Sequence, residues 1–278
     1  MGMQVNTNIS ALNSYRNLSN TQNDLAKSLE KLSSGLRINH AADDAAGLAI
    51  SQGLQSQVSG LTVASRNAQD GISVIQTAEG SLSEVQTILQ RVRDLAVQAG
   101  NDSNNATSRA AIGTEVTALG AELTRIGASA NFNGTKLLNN GTGTLTFQVG
   151  AGSVAAEDQI TVTNTDVAAI GTTVSGLAAA GFATSAAALT TIATLDTNIT
   201  AVSTARANLG AQQNRFESVI RNLSVSTENL TAAKSRITDT DMASEMVKYT
   251  RSNILSQAGT AMLAQANQGN QGVLQLLR

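Results

Sequence analysis

Apolar residues recur at seven-residue intervals from Asp44 to Ala99. One column of this repeat is apolar at every position and contains Leu54, Leu61, Ala68, Ile75, Leu82, Leu89 and Ala96. The companion column is interrupted only by Gln57 and Gly71, and it contains Ala64, Ala78, Val85, Val92 and Ala99. Because this pattern continues without a proline, it predicts one long helix that packs along other helices. Such a helix is about 80 Å long, whereas a compact chain of this length is about 50 Å across, so the pattern also predicts a rod.

The most regular repeat lies toward the C-terminal end of the chain. All members of its column are apolar: Leu195, Val202, Leu209, Phe216, Leu223, Leu230 and Ile237. This column predicts a second long helix, and its natural partner is the first one. Together the two helices are predicted to form the seam of a rod domain over residues 44–239.

An amphipathic helix is predicted at each end of the chain. The first covers residues 3–36 and places Leu18, Leu25 and Leu32 in one column. The last covers residues 242–277, and its apolar positions are Met246, Ile254, Met262, Leu274 and Leu277. Acidic breaks at residues 43–44 and 239–241 separate both from the long helices, and such carboxylates suit helix N-termini. Residues 1–43 and 240–278 are therefore predicted to form a terminal-helix domain.

The pattern changes between the two long helices. A shorter helix is predicted over 108–127, with one apolar face made of Ile112, Val116, Leu119, Leu123 and Ile126. Residues 131–140 are predicted to form a loop anchored by Phe132, Leu137 and Leu138. Alternation at Leu145, Phe147 and Val149, and again at Ile160 and Val162, predicts a β-hairpin. Residues 166–190 show no clear period, so no element is predicted there. The predicted fold is mainly α: a long antiparallel coiled-coil-like helix bundle with one small β-hairpin.

The terminal helices raise the question of what covers their apolar stripes. Two helices make a thin core, and isolated helices are marginal in water. We therefore expect these helices to be poorly ordered in a single chain and to order when copies pack together. A contact between unlike surfaces that does not close produces a helical filament. Charged residues make up only 14% of the chain, which suits a surface that copies of the same chain will cover.

Composition excludes several other classes of protein. A net charge of −2 offers no basic surface for nucleic acid, and the absence of cysteine excludes disulfides and thiolate sites. No segment approaches the ~20 apolar residues of a membrane span. Residues 1–10 lack the features of a cleaved secretory signal peptide. We therefore expect a protein that is either cytoplasmic or exported without a cleaved signal.

Few residues are candidates for chemistry. Asp43 and Asp44 are adjacent and do not share a helix face, which favours helix capping over a catalytic pair. His40 is the only histidine and has no neighbouring cysteine, so we expect it at a solvent-exposed position or a subunit contact. Met242, Met246 and Met262 suit either core packing or a chaperone-binding face. No convergent polar site is recognisable, so we expect no enzyme, no metal and no cofactor.

Several long segments resemble bacterial flagellins. These are VNTNISALNSYRNL, LSSGLRINHAADDAAGLAIS, LQRVRDLAVQAGN, NFNGTKLL, RFESVIRNL and MASEMVKYTRSNILSQAGTAMLAQANQ. The resemblance covers about residues 1–163 and 195–278. It implies a subunit of the extracellular flagellar filament used for swimming, with further copies, an export chaperone, and cap and junction proteins as partners. It also implies export through the flagellar channel. The outer domains of larger flagellins are expected to be absent or reduced to about 166–190.

The resemblance also implies a contact site for the flagellin-sensing Toll-like receptor. In this sequence it falls on Arg91, Leu95 and Glu115. Arg91 and Leu95 are four residues apart on one helix face, outside the predicted seam. A leucine outside the seam suggests a second interface. Two alternatives remain open: a hook–filament junction protein, and a secreted coiled-coil effector or translocator. The C-terminal match and the LQRVRDLAVQ segment favour the filament subunit.

Overall fold

The structure, a computed structural model, describes residues 7–139 and 143–276. The described residues are mainly helical, with two small antiparallel β-hairpins. The helices are α1 (Ile9–Ser34), α2 (Ala45–Ala99), α3 (Ala106–Ser129), α4 (Ala155–Asp158), α5 (Val167–Ala180), α6 (Ser185–Thr238) and α7 (Met242–Leu276). The strands are β1 (Asn131–Phe132), β2 (Thr135–Lys136), β3 (Thr144–Gln148) and β4 (Gln159–Thr163). The chain divides into two compact units, Met1–Ser56 with Asn229–Arg278 (unit 1) and Gln57–Glu228 (unit 2).

In unit 2, α2 and α6 run antiparallel. Arg93 near the end of α2 binds Asp196 near the start of α6, with 2.6 Å between Nε and Oδ1. Further along, the Arg206 guanidinium lies 3.0 Å from the Glu79 carboxylate. The apolar columns of both helices are buried at the level of these polar contacts and beyond them. The larger members at most 7% exposed are Ile75, Leu82, Val85, Leu89, Val92, Leu195, Val202, Leu209, Phe216 and Leu223. The alanines of the α2 columns are buried as well, namely Ala64, Ala68, Ala78, Ala96 and Ala99. Leu54, Leu61, Leu230 and Ile237 are half-buried.

The break in the α2 column at Gly71 accommodates an aromatic pair. A Cβ at this position would lie 2.9 Å from Cζ of Phe216. The Phe216 ring meets that of Phe147 edge to face, with centroids 5.5 Å apart, a favourable geometry. Phe147 belongs to β3, which pairs with β4 through Phe147 and Ile160. The predicted hairpin therefore packs on the long helices where the column is interrupted.

Residues 166–190, where no element was predicted, contain α5 and the start of α6. Helix α5 packs closely on α3 at three glycines spaced seven residues apart. A Cβ at Gly113 would lie 2.8 Å from the Ala178 carbonyl oxygen, and one at Gly127 would lie 2.8 Å from the Ala168 nitrogen. At Gly120 a Cβ would lie 2.9 Å from the Ser175 nitrogen. The buried residues of α5 include Val167, Ile170 and Val174, which have helical spacing, but the small and polar residues around them hid this period in the sequence.

The prediction of a single hairpin was wrong. Residues 131–136 form a second, minimal hairpin, with β1 and β2 joined by Asn133 and Gly134. Both turn residues have positive φ, 49° and 83°, which two-residue turns of this kind require and which Asn-Gly supplies readily. The next residues, Leu137 and Leu138, are each 1% exposed.

In unit 1, α1 and α7 form an antiparallel pair. At one end the Asn8 side chain donates to the Ala266 carbonyl oxygen at 2.9 Å. In the middle, Leu18 packs over Gly259, where a Cβ would lie 3.1 Å from the leucine Cδ1. At the other end Leu36 forms a β-bridge with Asp239. The two predicted terminal helices thus pair with one another along their length.

One carboxylate is buried in this pair. The side chain of Glu245 is 6% exposed and lies 2.9 Å from the Lys248 ammonium. Burial raises the pKa of Glu245. Hydrogen bonds from Lys248 and Ser28, with the charges of Lys248 and Lys31, outweigh burial and lower the pKa below its ordinary value of 4.5. Since Ser28 is itself buried on α1, the ionised carboxylate ties the two helices together.

Gly120→Ala is expected to lower the free energy of unfolding by about 1–3 kcal/mol, because the new methyl group meets backbone atoms of α5. Gly176→Ala is the matched control, since a Cβ there meets nothing within 4 Å. We expect this control to be neutral or stabilising by up to about 1 kcal/mol, from helix propensity. Chemical denaturation of both variants measures the difference. Equal stability would contradict the close α3–α5 contact.

Glu245→Gln is expected to remove a pH dependence from the stability of α1 and α7. Because the folded-state pKa is lowered, the wild-type contribution is present above pH 4.5 and is lost as the pH falls through the folded-state pKa. A lowering by one pKa unit corresponds to about 1.4 kcal/mol. Hydrogen exchange of α1 and α7 amides between pH 6 and pH 3 measures this, with Asp24→Asn, at an exposed position of α1, as control. Equal pH dependence in wild type and Glu245→Gln would refute the assignment.

Candidate self-association surface

The α1–α7 pair buries little of its apolar surface. Along α1 only Leu18 and Ser28 are buried, and Leu25 and Leu32 are half-buried. On α7, within the residues whose side chains are described, Glu245 alone is buried. A two-helix pair has one internal seam, so every apolar residue outside that seam faces away from the partner helix. Unit 1 therefore carries apolar side chains for which its own terminal helices provide no cover.

Ten large side chains share this exposure, and we call them the terminal apolar surface. Each is between 47% and 70% exposed. They are Ile9, Leu12, Tyr15 and Leu29 on α1, with Met242, Met246, Val247, Ile254, Leu255 and Met262 on α7. Soluble monomers rarely expose contiguous apolar patches of large area, and such patches mark interaction sites.

The surface contains shallow apolar depressions at different levels of the pair. One lies on α7 and is lined by Met246, Val247, Thr250, Arg251, Ile254 and Leu255. Another lies between the helices and is lined mainly by Leu18, Thr21, Leu255, Ala258 and Met262. A third lies near the start of α1, at Ile9, Leu12 and Tyr15. These sites differ in shape and residues, so a neighbour that fits one of them does not automatically fit another.

The residues predicted to pack the termini differ in their burial. Leu18 faces α7 of the same chain, where it contacts Gly259, and Leu25 and Leu32 are half-buried. Met246, Ile254 and Met262 are exposed. Leu274 lies in α7 at a position whose side chain is not described, and Leu277 lies outside the described residues. Sequence reasoning missed Glu245, for which the only signal was its three-residue spacing to Lys248.

The predicted receptor residues are arranged differently from expectation. Arg91 on α2 and Glu115 on α3 form an exposed ion pair, with 2.7 Å between Nη2 and Oε1. Leu95, however, is 2% exposed and belongs to the core of unit 2. The interpretation of Leu95 as a leucine left for a second interface is therefore wrong. Helix α2 contacts α3 through Arg91 as well as α6 through Arg93, so its buried face is wider than one seam.

Asp43, Asp44 and His40 each bind nearby residues of the same chain. The backbone N–H groups of His40 and Asn39 donate to Asp43 at 3.0 and 3.1 Å and lower the pKa of its carboxyl. Asp44 caps α2 by accepting from the Gly47 N–H at 2.8 Å. His40 is exposed and its Nε2 lies 2.8 Å from Glu30. Asp44 therefore caps a helix as predicted, whereas Asp43 accepts from N–H groups of the linker before α2 and caps no helix.

The part of the chain that the structure describes contains neither a cluster of metal-binding side chains nor a helix that could span a membrane. Over residues 7–139 and 143–276 no three His, Cys, Asp or Glu side chains are grouped as a metal would need. Within the same ranges, no helix combines the length and the apolar character needed to cross a bilayer.

Comparison with known proteins gives full-length matches. Residues 5–142 match the family described as the bacterial flagellin N-terminal helical region, and residues 192–277 match the bacterial flagellin C-terminal helical region. A protein named flagellin from Halalkalibacterium halodurans is 51% identical over 276 residues, which cover 99% of this chain and 100% of that protein. The flagellin of Bacillus subtilis is 50% identical over 304 aligned residues, with the same coverage.

Two further relatives complete the comparison. The flagellar filament 33 kDa core protein of Treponema phagedenis is 45% identical over 289 aligned residues, covering 99% of this chain and 100% of that protein. The crystal structure of Bacillus cereus flagellin covers 61% of this chain and 94% of its own, with 31% identity and a TM-score of 0.48. The two family matches and the full-length relatives place this chain in the bacterial flagellin family.

Proposed function

We propose that this flagellin polymerises into the flagellar filament through its terminal apolar surface. The observation that carries the proposal is the set of ten large apolar side chains on α1 and α7 that are 47% to 70% exposed. The name of the Treponema relative, a flagellar filament core protein, supports the same role. The filament subunit is a structural role, and it requires no catalytic site.

The exposed side chains supply a driving force for association. Burying one exposed leucine, isoleucine or methionine stabilises by up to about 1.5–3 kcal/mol. Several such side chains per subunit are enough to offset the loss of translational freedom and the ordering of α1 and α7. The net charge of −2 adds little mutual repulsion between subunits.

The layout of the surface favours an open assembly. The depression around Ile9 and Tyr15 lies near the end of the pair where Asn8 contacts Ala266. The depression from Met246 to Leu255 lies elsewhere along α7. Contact between two unlike patches on neighbouring copies is heterologous, and such a contact propagates into a filament when its rotation does not close a ring.

Membership of the flagellin family also suggests an export chaperone and the flagellar export channel as partners, and we propose both for this chain. An export chaperone that covers α7 before assembly would hide Met246, Ile254 and Leu255 from water. Export through the flagellar channel, without removal of an N-terminal segment, is checked by N-terminal sequencing of filaments. The junction-protein and effector alternatives are not favoured, because relatives that align over their whole length are named flagellins and filament core proteins.

A receptor contact at Arg91 and Glu115 is a second proposal. The two side chains lie together on the surface, 56% and 43% exposed. They present a guanidinium and a carboxylate to any protein that binds there. Because Leu95 lies in the core, Arg91 is the residue of the predicted site to substitute in a receptor-binding test.

Ile254→Glu is expected to prevent polymerisation and to leave the monomer folded, because the residue is 61% exposed in the single chain. A charge buried between subunits should raise the critical concentration by at least about tenfold. Sedimentation of salt-induced polymers measures this. Val154→Glu is the matched control, as the same change at a 51% exposed residue of unit 2. Normal filaments from Ile254→Glu would refute the proposed contact.

Arg91→Ala is expected to weaken binding of the monomer to the Toll-like receptor ectodomain by more than about tenfold, through loss of a charge-assisted contact. Surface plasmon resonance with purified monomer measures the effect. Arg93→Ala is the control, because Arg93 binds Asp196 on another helix. Unchanged binding of Arg91→Ala would reject the receptor assignment.

A further inference from the structure

All methionines in the described part of the chain lie on one helix. The sequence has five methionines and no cysteine, so thioethers are its only sulfur groups. Met242, Met246 and Met262 lie on α7 and are 47%, 50% and 65% exposed. The buried apolar core within the described residues is built from Leu, Ile, Val, Ala and Phe. Methionine is thus used at the terminal surface and not in the described core.

The three thioethers are accessible and lie in apolar surroundings. Met246 lines the depression that Ile254 and Leu255 also line, and Met262 lines the one beside Leu18. Neither is buried by α1, since the side chain of α7 that is buried in the pair is that of Glu245. A chemical change at these sulfur atoms is therefore exposed to solvent and to neighbouring copies.

We propose that Met246 and Met262 are oxidation-sensitive sites through which peroxide controls assembly of the unpolymerised subunit, with Met242 as an accessory site. The proposal rests on the terminal apolar surface being the subunit contact. The thioether sulfur attacks one oxygen of hydrogen peroxide, so that an S–O bond forms and the O–O bond breaks. Sulfur is oxidised by two electrons to the sulfoxide. The peroxide is reduced to water as the proton of the transferred oxygen moves to the departing hydroxide.

The sulfoxide changes the surface from apolar to polar. Methionine sulfoxide carries a strong acceptor oxygen in place of a polarizable apolar sulfur. In the single chain this oxygen is hydrated, so the folded monomer tolerates it. Between packed apolar side chains of neighbouring copies it lacks a donor, and an unpaired buried acceptor is unfavourable. Oxidation therefore disfavours the polymer, whereas the assembled filament shields the same sulfur atoms from peroxide.

The test compares wild-type monomer with the variant Met242→Leu/Met246→Leu/Met262→Leu. Leucine keeps nearly the same volume and apolar character and cannot form a sulfoxide. The variant keeps Met1 and Met3, so any effect of those residues appears in it as well. Both full-length monomers are treated with hydrogen peroxide, sulfoxides are located by peptide mass spectrometry, and circular dichroism confirms the fold. Polymerisation is then followed by sedimentation.

We expect the oxidised wild type to need on the order of tenfold more protein to polymerise, and methionine sulfoxide reductase to reverse this. Peroxide should leave polymerisation of the variant unchanged relative to the untreated variant, whatever protein concentration the untreated variant needs. Two results would overturn the inference: oxidised wild type with verified sulfoxides that polymerises normally, or a variant whose polymerisation peroxide reduces as much as it reduces that of wild type. Ile254→Glu separates the two proposals. If that variant stays monomeric but the sulfoxide has no effect, only the oxidation inference fails. If Ile254→Glu polymerises normally, the proposed contact itself fails.

Discussion

The geometry of a two-helix pair limits how much apolar surface α1 and α7 of this flagellin can bury. A helix with apolar residues on more than one face needs more than one neighbour, and α1 and α7 each have the other along a single seam. Leu18 and the buried Glu245–Ser28 contact occupy that seam. The remaining apolar side chains, among them Ile254 and Met262, stay exposed. Burial of those side chains requires something outside the pair, and the proposed filament contact supplies it from further copies of the chain.

In unit 2, other elements of the same chain cover the apolar faces of the helices. Helix α2 contacts both α6 and α3, and α3 in turn is covered by α5 at three glycines. Phe216 and Phe147 fill the notch at Gly71. The residues of the seam between Ile75 and Leu89 are consequently almost completely buried. Unit 2 therefore has a closed core, whereas unit 1 has apolar side chains that the proposed contact between copies would bury.

The sequence was informative wherever large apolar residues repeated. The heptads from Leu54 and from Leu195 predicted α2 and α6, and the alternation around Phe147 predicted the hairpin of β3 and β4. Helix α5 was not predicted, although its buried residues Val167, Ile170 and Val174 have helical spacing, because the alanine, glycine, serine and threonine around them obscure that period. Leu95 was misinterpreted because a single-seam description of α2 ignores its second neighbour. Exposure of the α7 methionines was not predictable either, since periodicity shows that a face is apolar but not whether anything covers it.

Hydrogen–deuterium exchange of the full-length protein, measured for the monomer and for the filament, tests whether other copies bury the terminal apolar surface. If they do, amides of α1 and α7 exchange readily in the monomer and are slowed by on the order of a hundredfold in the filament. Amides of unit 2 around Leu89 and Val116, which lie in a closed core in the single chain, should change much less. Equal protection of α1 and α7 in monomer and filament would contradict the claim that other copies complete the terminal pair.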